Sequence, residues 1–373
     1  MKYYIIAGEA SGDLHGANLI KEIKKKDSNA VIRCWGGNLM KREGAVIVKH
    51  IKNLAFMGFW EVLLNLRSII NNLSFCKKDI IEFNPDTIVY IDYPGFNLRI
   101  AKWAKNLSYN NQYYISPQVW AWKESRVKII KKCIDNLYVI LPFEKKYFKE
   151  KHSLNVEYVG HPLVEHILKL KKEPSFIKKN NLDEKKEIIT LMPGSRKQEI
   201  KKILPVFLDV VNNFKSYQFI IAAAPSIDSE FYLSIIKNNS VKIIYNNTYN
   251  LLNHSKAALV TSGTATLETA LLKIPQLVCY KTSSISYFIA KKLIKLNYIS
   301  LVNLILNKEV VKELIQKNCK VKRISEELKK LLMKNNKSIL KEYELLIKTI
   351  GIKKSSEITS KLIINSIKKL SNL

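Results

Sequence analysis

Three junctions between an apolar run and a turn rich in small residues constrain the fold of this chain more than any other feature. The turns follow residues 3–6, 188–192 and 257–261. In α/β folds, such a junction indicates a strand, followed by a tight turn and then by a helix. A helix beginning there points unpaired backbone N–H groups and a positive dipole end at an anion above the sheet. This placement predicts two Rossmann-like domains facing each other, with a nucleotide between them.

Apolar runs alternate with amphipathic stretches, which is typical of βαβ units and parallel sheets. At 373 residues the chain is long enough for two domains, each with its own core. The Lys-rich stretch 166–187 is the predicted linker between domains spanning 1–165 and 188–336. After residue 285 we expect helices only. The predicted strands are 3–7, 30–35, 87–91, 112–115, 136–141, 156–159, 188–192, 218–223, 241–245, 257–261 and 276–280.

Charge, cysteine content and apolar runs indicate which classes of protein fit this composition. The formal charge is +30, but only seven of the 62 basic residues are Arg. The bias towards Lys, Asn and Ile favours the explanation that the charge arose by drift in composition and is spread over a solvated surface. The alternative explanation is that the charge attracts nucleic acid or an anionic membrane. No nucleic-acid motif accompanies the charge. The five scattered cysteines indicate reduced cytosolic thiols, and we expect neither a transmembrane helix nor a signal peptide.

The first group of candidate site residues lies at strand ends in the first half. Asp92 ends the apolar run 87–91 and precedes a Tyr-Pro-Gly turn, where a carboxylate suits a general base. Capping of the next helix explains the same residue equally well on position alone. Glu9 and Asp13 are further acidic candidates at the first turn, where capping by Ser11 or Asp13 is the favoured explanation.

The second group lies in the second half. Arg196, next to Ser195, opens a helix, and its guanidinium fork suits phosphate oxygens, although a surface pair with Glu199 explains it too. Glu268 lies one turn into the next such helix, where it suits a ribose hydroxyl or simply the helix dipole. Hydroxyl and N–H donors in that turn come from Ser262, Gly263, Thr264 and Thr266.

Absent motifs narrow the chemistry. The chain has no GxxxxGK[ST] loop, no GxGxxG fingerprint and no Asp-x-Asp pair to hold a metal on a nucleotide-sugar diphosphate. If a diphosphate leaves here, Arg196 and helix N-termini must therefore stabilise its charge.

Together these residues give the chain its resemblance to a known family. It resembles bacterial lipid-A-disaccharide synthases, glycosyltransferases of the two-Rossmann-domain type called GT-B, nearly from end to end. The most specific blocks are the tryptophan-containing run 116–122 and the Ser-Gly-Thr run 262–268. The corroborating blocks are 7–13, 57–63, 91–97, 141–144, 159–162, 193–199 and 300–304.

The resemblance implies an α/β GT-B fold, with parallel sheets facing across a cleft and helices 337–373 returning to the first domain. It implies transfer of 2,3-diacylglucosamine from its UDP conjugate to 2,3-diacylglucosamine 1-phosphate (lipid X), with inversion and without cofactor or metal. Asp92 would be the base, Arg196 would stabilise the leaving diphosphate, and Asn303 would be a donor-site residue. Glu9 and Asp13 would be acceptor-side or structural residues. Another UDP-sugar enzyme, such as a UDP-N-acetylglucosamine epimerase, and a basic nucleic-acid-binding protein are the alternatives.

The acylated substrates that the resemblance implies suggest a role for the apolar stretch 59–70. By pattern alone it is a core-facing amphipathic helix. Acylated substrates favour instead an interfacial helix docking on the anionic inner membrane, which predicts a cytoplasmic, peripherally associated enzyme. The residues with this spacing are Phe59, Val62, Leu63, Leu66, Ile69 and Ile70, with Trp60 beside them.

Overall fold

The computed structural model describes residues 1–53, 66–168, 170–237, 241–282, 297–333 and 336–371. The chain divides into two compact units. Unit 1 comprises Met1–Pro162 and Lys353–Leu373, and unit 2 comprises Leu163–Ile352. Each unit contains one fully parallel sheet with helices on both faces, as expected for Rossmann-like domains.

Unit 1 contains a seven-stranded sheet in the order β3-β2-β1-β4-β5-β6-β7. Its strands are β1 (Lys2–Ala7), β2 (Val31–Gly36), β3 (Val46–His50), β4 (Thr87–Ile91), β5 (Asn111–Tyr114), β6 (Asn136–Val139) and β7 (Glu157–Tyr158). Its helices are α1 (Ala10–Lys26), α2 (Asn38–Arg42), α3 (Leu66–Phe83), α4 (Pro94–Asn106), α5 (Arg126–Cys133) and α6 (Pro142–His152), with the last helix of the chain, α16 (Ser355–Ser371).

Unit 2 contains a six-stranded sheet in the order β10-β9-β8-β11-β12-β13. Its strands are β8 (Ile188–Met192), β9 (Gln218–Ala223), β10 (Lys242–Tyr245), β11 (Ser255–Thr261), β12 (Gln276–Tyr280) and β13 (Lys312–Ile315). Its helices are α8 (Phe176–Lys179), α9 (Lys197–Val211), α10 (Ser229–Ile236), α11 (Thr248–Asn253), α12 (Thr264–Leu271), α13 (Leu301–Leu306), α14 (Val321–Met333) and α15 (Lys337–Ile350), and α7 (Pro162–Leu168) begins at its boundary.

The central strands are apolar along their whole length because helices cover both faces of each sheet. In β1, alternate residues enter two different cores of unit 1. Tyr4 and Ile6 pack in the cluster that includes residues of α3, α4 and α5, whereas Tyr3 and Ile5 pack in the cluster that includes residues of α1 and α16. The continuous run therefore predicts a strand buried on both sides, and all four side chains are fully buried.

The C-terminal helix α16 is part of unit 1. Gln112 donates to the Ser366 hydroxyl at 3.0 Å, and the Tyr114 and Ser355 hydroxyls lie 2.9 Å apart. These polar contacts join α16 to β5. The preceding helix, α15, lies in unit 2, so the chain returns to unit 1 after Ile352 and not at the expected residue 337. Residues of the expected linker, 166–187, also lie within unit 2.

Two edge strands differ from the sequence expectation. The prediction that only helices follow residue 285 is wrong, because β13 pairs in parallel with β12. Its sequence, Lys-Glu-Leu-Ile, lacks an apolar run, and of its four side chains only Leu314 is buried. β3 was also missing from the predicted strands, and it pairs on one side only, with β2. Among helices in the described ranges, none combines the length and apolarity needed to cross a bilayer.

Candidate functional site

Each sheet has one point where the strand order reverses, and the predicted site residues gather at these two points. In unit 1 the reversal lies between β1 and β4, whose last residues Ala7 and Ile91 are partners in the register. In unit 2 it lies between β8 and β11, where Met192 pairs with Val260. Helices leave the sheet in opposite directions at such a point and open a crevice above the strand ends.

The backbone after β4 adopts an unusual conformation. Asp92 and Tyr93 have φ values of 45° and 48°, in the left-handed region that non-glycine residues seldom occupy. Three hydrogen bonds hold this turn: the Asp92 carbonyl accepts from Asn97 Nδ2 at 2.7 Å and from the Tyr113 hydroxyl at 2.6 Å, and the Asp92 N–H donates to the Tyr114 carbonyl at 3.2 Å. The core of unit 1 therefore holds the backbone from which the Asp92 side chain extends.

The chemical environment of this carboxylate suits a base. Solvent reaches the Asp92 side chain, yet the surrounding protein removes enough water to raise its pKa to about 6, and the negative charge of Glu9 adds to this effect. The Tyr93 backbone and the Arg126 guanidinium oppose it. A carboxyl group with this pKa is ionised at neutral pH and accepts a proton more readily than an ordinary aspartate does.

Gly8 makes room for this turn. A Cβ atom at residue 8 would lie 2.4 Å from the ring of Tyr93, so no other residue fits without displacing that side chain. The glycine of the first turn thus serves close packing between the ends of β1 and β4.

The other candidates of the first turn divide into two groups. Glu9 and Ser11 are exposed at the start of α1. Asp13 is buried and accepts hydrogen bonds from the backbone N–H groups of Gly37, Leu39 and Met40, at 2.7, 3.1 and 3.1 Å. Its carboxylate therefore holds the start of α2, as a capping residue does.

Unit 2 contains a cavity of about 590 Å³ above the ends of β8 and β11. This volume is in the usual range of small-molecule sites. Five predicted site residues line it: Ser195, Ser262, Gly263, Thr264 and Glu268. Further lining comes from Lys171, Gly194, Glu199, Thr261 and the run 246–250. The start of α12 reaches the same cavity, so its first N–H groups are available to an anion.

The turn after β8 has the geometry of an anion site, with a carboxylate beside it. Gly194 has φ 114°, and a Cβ there would lie 2.8 Å from Glu199 Oε2. Glu199 accepts weakly from the Ser195 N–H at 3.4 Å and pairs with Arg196 at 2.9 Å. Arg196 does not line the cavity; its side chain is 65% exposed at the first turn of α9. The ion pair expected as the alternative explanation of Arg196 is therefore present.

Glu268 lies in the cavity wall. Burial raises its pKa to about 7. Within the described part of the chain, its carboxylate forms neither an ion pair nor a hydrogen bond. Tyr249 lines the same cavity, and the charge of Glu268 helps to raise the pKa of its hydroxyl. A half-buried carboxylate without a protein donor in the described chain is suited to accept hydrogen bonds from a ligand.

Asn303 has a different environment from the one expected. Its amide nitrogen donates to the Val311 carbonyl and to Glu313 Oε1, both at 2.8 Å. Its amide oxygen accepts from the N–H groups of Val310 and Val311, at 2.8 and 3.0 Å. All four hydrogen-bonding positions of the buried amide are thus occupied by the protein, which leaves none for a substrate.

The same cluster supports the turn before α12. Glu313 accepts from the N–H groups of Ile299 and Ser300, each at 3.0 Å, and the Ile299 carbonyl accepts from the Ser262 hydroxyl at 2.8 Å. Thr266 is buried and donates to the Gly263 carbonyl at 2.8 Å. Thr266 and the 299–313 segment therefore shape the cavity without lining it.

Most of the predicted membrane-facing residues lie outside the described residues: Phe59, Trp60, Val62 and Leu63. Leu66 is the first residue of α3. Ile69 is half-buried, and Ile70 is 63% exposed.

Three residues that the sequence analysis did not assign to the site belong to it by position. Arg126 acts on Asp92 through its charge, the Glu199 carboxylate reaches the turn after β8 from α9, and Tyr249 lines the cavity. The scarcity of Arg was a usable signal for Arg126, which follows the tryptophan block by four residues. No sequence pattern singled out Tyr249, which lies in the short helix α11.

A family model described as lipid-A-disaccharide synthetase matches residues 3–364. The chain belongs to the lipid-A-disaccharide synthase family. The synthase of Syntrophus aciditrophicus is 36% identical over 374 residues, covering 98% of this chain and 97% of its own. The synthase of Francisella philomiragia is 37% identical and covers 92% and 93%. The chain is accordingly a glycosyltransferase.

Solved structures show the fold. A UDP-GlcNAc 2-epimerase from Neisseria meningitidis superposes with a TM-score of 0.66 at 14% identity, covering 99% of this chain and 100% of its own. The glycotransferase of kitacinnamycin superposes with a TM-score of 0.66 at 9% identity, covering 98% of this chain and 99% of its own. The expected GT-B fold is confirmed. At these identities the likeness concerns the fold alone, so it does not favour the epimerase alternative.

The first testable prediction concerns Glu268. Replacement by glutamine keeps the size of the side chain and removes its charge. The sequence predicts that Glu268 accepts hydrogen bonds from a ribose. On this prediction, Glu268→Gln should bind UDP about 10- to 100-fold more weakly at pH 8, because the charge-assisted hydrogen bonds would be lost. The exposed Glu230→Gln in α10 is the matched control. The measurement is titration calorimetry from pH 5.5 to 8.5. The difference in UDP affinity between wild type and Glu268→Gln should become smaller below pH 7. Equal affinities at pH 8 would contradict the prediction that Glu268 binds the ribose.

The same variant has a stability signature. The folded-state pKa of Glu268, about 7, is above the ordinary value of 4.5, so its proton stabilises the fold. That stabilisation is complete below the unfolded-state pKa and is lost as the pH rises through the folded-state pKa. The unliganded Glu268→Gln variant should therefore melt at a higher temperature than wild type at pH 8, and at about the same temperature near pH 4.5.

Proposed function

We propose that the chain transfers 2,3-diacylglucosamine from its UDP conjugate to lipid X, with inversion, giving the β-1,6-linked disaccharide 1-phosphate and UDP. The observation that carries this proposal is the Asp92 carboxylate, fixed by the left-handed turn at the reversal point of the unit 1 sheet, with a pKa near 6. Family membership supplies the reaction class.

The nucleotide binds in the unit 2 cavity. Glu268 accepts hydrogen bonds from the ribose hydroxyls, and the start of α12, with Ser262 and Thr264, donates to the diphosphate. This assignment is supported by the cavity volume, by the lining residues and by the unpartnered state of Glu268 within the described chain.

Arg196 stabilises the leaving diphosphate. In the structure, Glu199 pairs with Arg196 and accepts from the turn N–H of Ser195, which are two groups that a phosphate would use. The incoming diphosphate thus replaces the Glu199 carboxylate, and the Arg196 side chain moves from Glu199 to the ligand. The positive charge then opposes the negative charge that develops on UDP as the glycosidic bond breaks.

Asp92 acts on the acceptor. It takes the proton from the 6-hydroxyl of lipid X as that oxygen attacks the anomeric carbon from the face opposite UDP. The new C–O bond forms while the bond to UDP breaks, and the bonding electrons leave with the β-phosphate. A single displacement of this kind inverts the anomeric centre.

Disaccharide formation is the direct test. The protein is incubated in detergent with UDP-2,3-diacylglucosamine, lipid X and excess EDTA, and mass spectrometry follows the product. We expect one disaccharide 1-phosphate for each UDP released. No product from these substrates, together with epimerisation of soluble UDP-N-acetylglucosamine, would replace this function by the epimerase alternative. Product that disappears with EDTA would contradict metal independence.

We also propose peripheral association with the anionic inner membrane through the apolar stretch that ends at Ile70. Two acylated substrates must leave a bilayer to react, which favours an enzyme resting on it. The exposure of Ile70, 63%, and the basic composition of the chain support this proposal.

A vesicle experiment tests the association. We expect wild type to float with phosphatidylglycerol-containing vesicles and Ile70→Asp to bind about tenfold more weakly, because burial of an isoleucine side chain is lost. Met333→Asp is the matched control, since Met333 is an 82% exposed apolar residue of unit 2. Equal binding by the two variants, or no binding by wild type, would contradict the proposal.

A further inference from the structure

A second functional side chain lies near Asp92 in unit 1. Arg126 begins α5 and is half-buried. Its guanidinium carbon lies 5.4 Å from the centre of the Trp122 ring, in the range of a cation–π contact. Lys123 Nζ lies 4.3 Å from the centre of the same ring. Two cations thus share one aromatic platform.

The segment carrying this platform is fixed to α6. Trp120 Nε1 donates to Glu144 Oε1 at 3.0 Å, and its ring meets Phe143 edge-on at 4.9 Å. Glu144 is 1% exposed, and its other oxygen accepts from the N–H groups of Ile140 and Leu141 at 3.1 and 2.9 Å. A buried carboxyl group with hydrogen bonds to both oxygens therefore anchors the loop between β5 and α5.

Arg126 has no direct partner among the described residues. In the described ranges, its guanidinium forms no hydrogen bond and no ion pair within 4.0 Å, although Asp92 and Tyr113 lie near enough to interact with its charge. A half-buried guanidinium without a partner is costly, and its planar fork suits the oxygens of a phosphate.

We propose that Arg126, supported by Trp122, binds the 1-phosphate of the acceptor and so orients its 6-hydroxyl towards Asp92. This inference rests on the proposed function, in which the acceptor carries a nucleophilic hydroxyl and a phosphate on one sugar ring. In the part of the chain that the structure describes, a base and a cation that lie near each other without a direct ion pair match those two groups. Arg126 thereby determines specificity for a phosphorylated acceptor.

The experiment compares two acceptors: lipid X, and the methyl glycoside of 2,3-diacylglucosamine, which keeps the 6-hydroxyl and lacks the phosphate. Wild type, Arg126→Gln and Arg126→Lys are assayed with both. Arg99→Gln is the matched control, because Arg99 is an exposed arginine of α4 without an ion pair or side-chain hydrogen bond in the described chain. Thermal melting verifies that each variant is folded.

We expect wild type and Arg99→Gln to prefer lipid X about 10- to 100-fold in kcat/KM. Arg126→Gln should lose this preference, because its kcat/KM should fall much further with lipid X, through a raised KM, than with the neutral acceptor, for which only the lost charge beside Asp92 matters. Arg126→Lys should keep part of the preference. Equal loss with both acceptors would overturn the proposal, as would a preference that Arg126→Gln retains. Absence of product from wild type with either acceptor would instead refute the proposed function itself.

Discussion

The left-handed backbone at Asp92 and Tyr93 is the constraint on which the unit 1 site depends. Each such residue costs on the order of 1–3 kcal/mol, so the conformation persists only where its surroundings determine it. Asn97 and Tyr113 hold the Asp92 carbonyl, and Gly8 leaves space for the Tyr93 ring. The backbone conformation at Asp92 therefore depends on how the ends of the strands pack.

In our proposal, unit 2 holds the diphosphate and the ribose of the nucleotide. In the structure, Glu199 pairs with Arg196 and accepts from the turn N–H of Ser195, while Glu268 has no partner in the described part of the chain. The Glu199 carboxylate occupies groups that the proposed diphosphate would use. Burial raises the pKa of the Glu268 carboxyl, to which the proposal assigns the ribose hydroxyls.

The sequence predicted the features that follow from the spacing of apolar residues and from the residue types in turns. Continuous apolar runs indicated the central strands, and small-residue turns indicated the two reversal points, because burial on both faces leaves a strong pattern. Edge strands β3 and β13 were missed, since a strand paired on one side tolerates polar residues such as Lys312. The hydrogen-bond partners of Asn303 were also beyond prediction. A motif shows that a residue is required, but the geometry of the 299–313 segment decides whether it contacts substrate or supports the residues that do.

The most direct test of the account is the pH dependence of kcat for wild type and Asp92→Asn with saturating substrates. With a carboxyl pKa of about 6, wild-type kcat should fall tenfold per pH unit well below pH 6. Asp92→Asn should lose on the order of 10²- to 10⁴-fold in kcat at pH 8, the usual contribution of a general base, with unchanged UDP affinity. Asparagine retaining more than about a tenth of the wild-type kcat would contradict the assignment of Asp92 as the base.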